Sequence, residues 1–336
     1  MSPVFERSVV RERKRRKEVA ADRRGISAHA RATAEALFVT FLWSTSWVLI
    51  KLGLPSIPPL TFAGLRYTMA FLCLAPALWI HRREVRALGV RSWVLLGLLG
   101  VILYAVTQGG QFLTLAHLDA TTFSLLLSFT AVVVALASVA QRRERPRALQ
   151  WAGIGLAAIG AVVYFVPARD GAGSPLGFTW AGITVAANAA AALLGRRVNR
   201  VSIARPIVVT AISMGVGAGL LLAAGFSVEG LPRLSAPSWG LIGWLAVVNT
   251  AVAFTLWNRT LRTLSAVESS MLNNTMLVQV AILAWLFLGE THGPLGIAGL
   301  VLVALGTLLV QLRAGSTPAS RARTRSALSQ RTQRAQ

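Results

Sequence analysis

The chain is poor in the residues that build disulfide frameworks, metal sites and acidic catalytic centres. Its 336 residues include 12 acidic side chains, one cysteine and 4 histidines, and the histidines lie far apart in the sequence. Disulfide scaffolds, zinc sites and haem attachment need paired cysteines or closely spaced ligands, so this composition argues against them. Phosphate loops, dinucleotide fingerprints and nucleophile elbows are also missing, which argues against an ATP-driven pump and against a membrane enzyme.

Charge is scarce as well, and most of it lies outside the apolar segments. Charged residues make up 14% of the chain and hydrophobic residues 54%, and the mean hydropathy is +0.61, values that do not fit a water-exposed surface. The formal net charge of +22 is concentrated in two tails, residues 1–32 and 313–336, and in short loops. This distribution indicates a membrane protein and not a nucleic-acid-binding protein.

Ten apolar runs of membrane-crossing length lie between the two basic tails. A helix needs about 20 apolar residues to cross a bilayer, and it satisfies all of its backbone hydrogen bonds internally. We therefore predict an all-α polytopic membrane protein with ten transmembrane helices. Their predicted positions are 34–51, 60–80, 92–114, 119–140, 147–166, 177–196, 205–226, 238–258, 266–288 and 293–312.

The arginine distribution predicts the orientation of these helices, because cytoplasmic loops keep an excess of lysine and arginine. If both termini are cytoplasmic, thirty basic residues lie on the cytoplasmic side. Three lie on the other side, namely Lys51, Arg169 and Arg233. One more, Arg66, lies inside a predicted helix. The sequence thus predicts a multi-pass protein of the cytoplasmic membrane with both termini inside.

The chain resembles itself at an offset of 146 residues. This offset places chemically similar residues of the two halves together: Lys51 with Arg197, Glu144 with Glu290, Gly153 with Gly299, and Gly160 with Gly306. We therefore divide the chain into a first five-helix repeat, 33–166, and a second, 177–312. Because five is odd, the second repeat must be inverted in the membrane relative to the first, as in many secondary transporters.

Two segments carry a resemblance to a known family. The first is Phe41–Lys51, which includes Trp43-Ser44-Thr45-Ser46-Trp47 and is followed by Leu65-Arg66. The second runs from Thr250 to Trp257-Asn258-Arg259 and continues with Ser270 and Leu288-Gly289-Glu290. Together they resemble helices of the EamA-type branch of the drug/metabolite transporter superfamily, over about residues 36–312. The resemblance implies a ten-helix, two-repeat carrier of small metabolites or drugs, commonly an exporter, with a central cavity shared by the repeats.

Polar side chains inside the apolar runs predict the wall of that cavity, since they are costly in lipid unless they face a partner or water. Amides can bind a polar head group, and aromatic rings supply apolar or cation–π surface. The candidate substrate-binding residues are Trp43, Ser44, Trp47, Tyr104, Gln108, Ser128, Asn188, Trp257, Asn273 and Asn274. We expect the amides of Gln108, Asn273 and Asn274 to converge. The alternative is that these groups only hydrogen-bond one helix to another.

Four charged residues lie within or beside the runs. Glu268, near the cytoplasmic start of the ninth run, is a candidate for ion coupling, and an ordinary interfacial side chain is the alternative. Arg66 is close enough to the outer interface to snorkel, and we interpret it as capping backbone carbonyls, with substrate contact as the alternative. Lys51 is interpreted as an interfacial residue and Glu290 as a cap of the outer turn.

The sequence therefore predicts a secondary active transporter, not an enzyme, that exports an amino acid or an amphipathic metabolite or drug by alternating access. A membrane enzyme acting on a lipid-linked substrate and a channel or receptor are the alternatives. We expect contacts with membrane lipids and no cofactor, metal or nucleic-acid partner. Gly215-x-x-x-Gly219 marks either packing inside the fold or the face of a homodimer.

Overall fold

The computed structural model describes residues 29–140, 148–165, 174–200, 203–260, 263–264 and 266–311. Helices are the regular structure of these residues, and no strand occurs among them. The predicted all-α fold is confirmed for this part of the chain. The first helix begins at His29, so the last four residues of the predicted first tail are helical.

In chain order the long helices are α1 (His29–Gly53), α2 (Pro59–Ile80), α3 (Val90–His117), α4 (Ala120–Ser128 and Thr130–Ala140), α5 (Ala148–Phe165), α6 (Pro175–Arg200), α7 (Pro206–Glu229), α8 (Ala236–Ala246, Val247–Val252 and Ala253–Thr260), α9 (Ala266–Leu288) and α10 (Pro294–Gln311). A short helix, Arg82–Arg86, follows α2. Seven of the long helices are long and apolar enough to cross a membrane. The apolar stretches of α4, α9 and α10 are shorter: Ala120–Val134, Leu272–Leu288 and Pro294–Leu309.

Proline and glycine set several helix ends. Helices α2, α6, α7 and α10 each begin at a proline. Proline suits the first turn of a helix because its φ is already helical and its missing N–H would have no partner there. Gly230, with φ of 76°, follows the end of α7, and Gly289, with φ of 68°, follows the end of α9. These angles lie in the left-handed region that glycine adopts without strain.

Helices α3 and α8 each contain a π-helical segment, Gly100–Gln108 and Val247–Val252. In both, a threonine hydroxyl donates to the carbonyl five residues earlier: Thr107 to Ile102 and Thr250 to Leu245, each at 2.8 Å. Segments of this kind are rare and frequently lie at functional sites. Helix α4 is interrupted by a turn at Phe129.

Helices α2 and α7 cross in antiparallel orientation at very short range. A Cβ atom at Gly64 would lie 2.7 Å from the Leu222 backbone, and one at Gly225 would lie 2.7 Å from the Thr61 backbone. Residues early in α2 therefore face residues late in α7. Gly215 of α7 also faces α2, since a Cβ there would lie 2.8 Å from the Phe71 ring. That position thus packs inside the fold.

The same two helices cap each other with carboxylates. Glu229, the last residue of α7, accepts hydrogen bonds from the backbone N–H groups of Leu60 and Thr61 at 2.9 and 2.8 Å. Glu84, which follows α2, accepts from the N–H of Arg205 at 2.6 Å. The first N–H groups of a helix have no partner within the helix. Each carboxylate therefore satisfies donors at the start of the other helix.

Helices α5 and α10 also cross in antiparallel orientation through glycine. A Cβ at Gly160 would lie 2.7 Å from the Val303 nitrogen, and one at Gly299 would lie 2.7 Å from the Gly160 carbonyl oxygen. A Cβ at Gly306 would lie 2.6 Å from the Gly153 carbonyl oxygen. Since these neighbours are backbone atoms, the two helices can approach this closely only without side chains at the crossing.

The largest apolar core joins the first helices to α7 and α8. It contains buried side chains from α1, α2, α3 and α4: Trp47, Phe62, Tyr67, Phe112 and Phe123. Trp47 stacks on Phe123 with ring centres 4.8 Å apart. This core fixes α1 against its neighbours and so positions the polar and aromatic groups that α1 carries.

Candidate functional site

Helix α1 faces α9 through four polar side chains, Thr40, Ser44, Thr275 and Gln279, which we name the α1–α9 seam. The hydroxyl of Ser44 donates to Oε1 of Gln279 at 3.0 Å. Nε2 of Gln279 donates to Thr40 and Thr275 at 3.3 and 3.2 Å. Thr40 and Ser44 are four residues apart and share one face of α1. The seam places a hydrogen-bonded amide between two apolar helices.

A second face of α1 contacts α8 through aromatic rings. The ring centre of Trp43 lies 5.1 Å from that of Trp257 and 5.3 Å from that of Phe254, and all three are half-buried. We name these three residues the aromatic cluster. Trp43 and Ser44 are adjacent in α1, so the cluster and the seam lie side by side. Tilted aromatic rings and a polar amide together suit an amphipathic ligand.

Arg66 of α2 is buried where α1, α2 and α8 meet. Its Nε donates to the Thr250 hydroxyl at 3.0 Å and its Nη2 to the Ser46 hydroxyl at 3.2 Å. The interpretation of Arg66 as a snorkelling cap of backbone carbonyls is wrong, because the side chain is 3% exposed and both acceptors are hydroxyls of other helices. The residue lies seven positions into α2, or about 10 Å from its start at 1.5 Å per residue.

Asn249, in the π-helical segment of α8, is fully buried against α1. Its Nδ2 donates to the backbone carbonyl of Leu42 and, at 3.0 Å, to the Thr45 hydroxyl. Its Oδ1 is buried and has no hydrogen-bond partner among the described residues. A buried acceptor of this kind is costly and is uncommon in folded proteins.

The other predicted site residues lie on several different interfaces. Tyr104 is buried with its ring 5.7 Å from that of Tyr67, and Gln108 is half-buried at the end of the π-helical segment of α3. The Ser128 hydroxyl donates within its own helix to Leu125. Asn188 of α6 donates to Thr130 of α4 at 3.3 Å.

The two asparagines of α9 do not face α1. Asn273 is exposed, and Asn274 donates to Thr307 of α10 at 3.3 Å. The amide of α9 that meets α1 is Gln279. The structure therefore brings Trp43, Ser44 and Trp257 together around α1, whereas it does not bring Gln108, Asn273 and Asn274 together.

Charged side chains at the two ends of α1 form hydrogen bonds and ion pairs with neighbouring residues. At its C-terminal end, Nζ of Lys51 donates to the carbonyls of Leu115 and Leu118 at 2.9 and 2.7 Å. At its N-terminal end, Glu35 pairs with Arg259 in the last turn of α8 and with Arg31, whose Nε lies 3.0 Å from the carboxylate. The hydrogen bond and charge of Glu35 raise the pKa of Arg259 above its ordinary value, so this cation persists at every physiological pH.

Glu290 caps the first turn of α4. It accepts hydrogen bonds from the N–H groups of Ala120 and Thr121 at 2.7 and 3.0 Å and from the Thr121 hydroxyl at 2.7 Å. The prediction that Glu290 is a cap is confirmed. Because Glu290 precedes α10, the contact ties the turn between α9 and α10 to the turn between α3 and α4.

The remaining predictions concern Glu268 as an ion-coupling group and the presence of metal sites. Helix α9 includes Glu268, but its side chain lies outside the described part of the chain. Among the described residues, no group of three or more His, Cys, Asp and Glu side chains is placed to hold a metal ion.

The sequence-based choice of site residues omitted Gln279, Thr275 and Asn249. A signal for Gln279 and Asn249 was present, since an amide within an apolar run predicts a partner in another helix or a wet cavity, and the Thr275 hydroxyl gives a weaker signal of the same kind. Gln279 lies five residues after Asn274, so the two cannot share a face, and the sequence alone did not tell which face meets α1.

Comparison with known proteins identifies the family that the sequence matches. The sequence profile of the EamA-like transporter family matches residues 33–166 and, a second time, residues 175–312. A crystal structure superposes on the chain with a TM-score of 0.59 at 18% sequence identity, covering 84% of this chain and 98% of that one. This structural likeness concerns the fold alone.

Three curated relatives are transporters. The S-adenosylmethionine/S-adenosylhomocysteine transporter of Chlamydia trachomatis is 26% identical over 286 residues, 80% of this chain and 86% of the relative. The uncharacterized inner membrane transporter YedA of Escherichia coli is 24% identical over 285 residues, 82% of this chain and 90% of the relative. An uncharacterized transporter of Archaeoglobus fulgidus is 29% identical over 154 residues, which spans 43% of this chain and 53% of that relative.

Proposed function

Because the chain belongs to the EamA-like transporter family, we propose that it is a secondary active transporter that exports a small molecule by alternating access. The family and the transporter relatives make it a multi-pass membrane transporter of a small-molecule substrate. The proposal adds that all ten long helices cross the membrane. They form two inverted five-helix repeats, 33–166 and 177–312, with both basic tails in the cytoplasm.

The crossing of α5 and α10 is the observation that carries the two-repeat proposal. Applying the offset of 146 residues to the contact between Gly160 and Gly299 gives the contact between Gly306 and Gly153. A two-fold relation between inverted repeats requires such an exchange. The reciprocal caps of α2 and α7 and the π-helical segments of α3 and α8 support the same relation.

The proposed substrate site lies between the repeats, where α1 of the first meets α8 and α9 of the second. Trp43 and Trp257 supply aromatic surface, and Ser44 and Gln279 supply hydrogen bonds. In this structure these groups contact one another directly. Substrate must therefore separate α1 from α8 or α9 and replace those contacts, which couples its binding to movement of one repeat against the other.

The charged groups at the two ends of α1 are the proposed gates. The pairing of Glu35 with Arg259 closes the cytoplasmic end between α1 and α8. The bonds of Glu290 to α4 and of Lys51 to the end of α3 close the outer end. Alternating access requires that one set of contacts opens while the other stays closed.

The proposed substrate is a small amphipathic molecule, either an amino acid or a cationic drug. Aromatic rings attract cations, and the neighbouring amide can bind a polar head group. The relative from Chlamydia trachomatis is named for S-adenosylmethionine and S-adenosylhomocysteine, which combine an aromatic ring with charged groups. Glu268, near the cytoplasmic start of α9, is the proposed ion-coupling group.

Reconstitution in proteoliposomes tests this function. Labelled amino acids, S-adenosylmethionine and the cationic drug ethidium are loaded on one side, and exchange is measured with and without unlabelled compound on the other. Saturation and counterflow are expected for at least one compound. Unsaturated conductance would contradict the carrier proposal and favour a channel, and protein-free vesicles provide the background.

A further inference from the structure

Arg66 is a buried cation that lacks a carboxylate partner among the described side chains. Its Cζ lies 5.4 Å from the centre of the Tyr67 ring and 6.0 Å from that of Phe112. Arginine keeps its charge in proteins. Burying a charge is costly unless an opposite charge and hydrogen bonds compensate for it, and rings and hydroxyls compensate only in part. The site therefore has capacity for an anion.

The described carboxylates are all engaged elsewhere. Glu84 and Glu35 pair with arginines, Glu229 and Glu290 cap α2 and α4, and Asp119 acts electrostatically on Lys51. The titratable group that acts on Arg66 is the phenol of Tyr67, which is neutral at physiological pH. No described acid of the protein can thus serve as the counter-ion.

Donors of Arg66 are available for a ligand. Of the five N–H groups that a guanidinium carries, one on Nε and one on Nη2 bond to Thr250 and Ser46. The other three have no described acceptor. The buried Oδ1 of Asn249 is an acceptor without a donor. Its orientation is fixed, because only Nδ2 can donate to the Leu42 carbonyl on the opposite side of the amide.

The Arg66 guanidinium and the Asn249 amide both bond to the same short stretch of α1. Arg66 and Asn249 bond to consecutive residues of α1, Ser46 and Thr45, and Asn249 precedes Thr250, the other partner of Arg66. An unpaired cation and an unpaired acceptor thus adjoin the same short stretch of α1 and the π-helical segment of α8.

We propose that Arg66 and Asn249 form a subsite for the α-amino acid group of the substrate. The Arg66 guanidinium binds the carboxylate with two parallel hydrogen bonds, a strong and geometrically specific pairing. Asn249 Oδ1 accepts a hydrogen bond from the ammonium group. The inference rests on the proposed function and narrows it, because a cationic drug without a carboxylate would meet only the positive charge of Arg66 and be disfavoured.

Movement of the proposed repeats gives the substrate access. Ser46 belongs to the first repeat and Thr250 to the second, so separating α1 from α8 uncovers the guanidinium between them. The aromatic cluster lies along the same two helices. Its rings are placed to hold the apolar part of a substrate whose charged end reaches Arg66 and Asn249.

Matched pairs that differ in the carboxylate test the subsite. Proteoliposomes containing the full chain are assayed for counterflow with phenylalanine and phenethylamine, tryptophan and tryptamine, and S-adenosylmethionine and its decarboxylated form. We expect KM for the acid to be at least about tenfold lower than KM for the amine in at least one pair, the scale of one charge-assisted contact.

Variants of Arg66 then test whether this residue causes the preference for the acid over the amine. Arg66→Gln should raise KM for the acid at least about tenfold and leave KM for the amine unchanged or lower, so that the preference disappears. Arg66→Lys should keep part of it, since lysine retains the charge but not the planar fork. Arg91→Gln removes an exposed arginine at the start of α3 and should change neither value.

The outcomes separate the subsite from the transport function. If acid and amine are carried equally, or if Arg66→Gln impairs both to the same extent, Arg66 only joins helices and the subsite proposal is overturned, while transport stands. Counterflow of ethidium without counterflow of the six paired compounds would also overturn the subsite proposal and leave the transport function standing. Absence of all counterflow would overturn the proposed function as well. If Arg66→Gln does not fold, the ratios of KM for acid and amine in the wild-type protein and in Arg66→Lys decide whether the subsite proposal stands.

Discussion

At the residue scale, Trp257 is the member of the aromatic cluster that comes from the second repeat. Trp257→Ala should raise the apparent KM of a transported substrate about twofold to tenfold, since an aromatic contact is worth about 0.5–1.5 kcal/mol beyond its buried area. Uptake kinetics in proteoliposomes measure this. Trp244→Ala removes an exposed ring of the same helix and serves as the control. An equal effect of both variants would remove Trp257 from the site.

Asn274 can be tested against its own hydrogen-bond partner. Asn274→Ala and Thr307→Val each delete the bond between α9 and α10, so each should lower stability by about 0.6 kcal/mol. If Asn274 also contacts substrate, as predicted, only Asn274→Ala raises KM. The expected rise is about threefold to tenfold for one lost hydrogen bond. Equal KM values for the two variants would show that Asn274 does not contact substrate and serves only to bond to Thr307.

Glu268 is tested as the coupling group by removing its charge. Glu268→Gln should abolish concentrative transport driven by a proton gradient, because the side chain can no longer bind and release a proton, and it should leave exchange of substrate intact. Accumulation and exchange are measured in the same vesicles. Unchanged accumulation would return Glu268 to the interfacial residues.

At the element scale, the α5–α10 crossing depends on glycine at specific positions. Gly160→Ala places a methyl group 2.7 Å from the Val303 nitrogen and 2.9 Å from the Gly299 carbonyl oxygen of α10. No rotamer change can relieve a clash with backbone atoms, so the helices must separate. We expect a loss of about 1–3 kcal/mol, the usual cost of overpacking. Thermal unfolding in detergent measures this loss.

Gly155→Ala is the matched control for that substitution. A Cβ at Gly155, in the same helix, has no neighbouring atom within 4 Å. Alanine also favours the helix over glycine by up to about 1 kcal/mol. The control should therefore be neutral or stabilising, and a melting temperature for Gly160→Ala equal to that of Gly155→Ala would contradict the close crossing.

Helices were predictable from the sequence to a much greater extent than their irregularities. Apolar runs of membrane-crossing length predicted the positions of α2, α6, α7 and α10, because the length of a run is a local property of the sequence. The π-helical segments at Gly100–Gln108 and Val247–Val252 carry no comparable signal. Their threonine bonds are local, but the contacts of Asn249 and Thr250 with α1 and α2 join residues far apart in the sequence. Residue type within the apolar runs selected Trp43 and Ser44 but could not choose between Asn274 and Gln279.

At the scale of the whole molecule, the charge asymmetry predicts topology. With thirty basic residues on one side and three on the other, both termini should be cytoplasmic. Reporter fusions after Gln336 and cysteine labelling of the loops measure this directly. An outside location of Gln336 would overturn the orientation of both repeats.

The first basic tail should be dispensable for transport. Its arginines attract anionic head groups at about 1 kcal/mol each near the surface, and we expect residues 1–28, which precede α1, to contribute no wall of the proposed site. Deletion of residues 1–28 should leave KM and the maximal rate within about twofold, because its effect is limited to surface electrostatics. Folded protein with abolished flux would contradict this.

The α5–α10 crossing also imposes an order on the making of the protein. Chains emerge from the ribosome at about 5–20 residues per second, so the 146 residues that separate Gly160 from Gly306 take roughly 7 to 30 seconds to synthesise. During that interval the bare backbone groove of α5 has lipid or the insertion machinery as its neighbour. In the described fold, α10 is the helix that takes their place. A chain stopped before α10 therefore leaves the backbone groove of α5 without the helix that fills it.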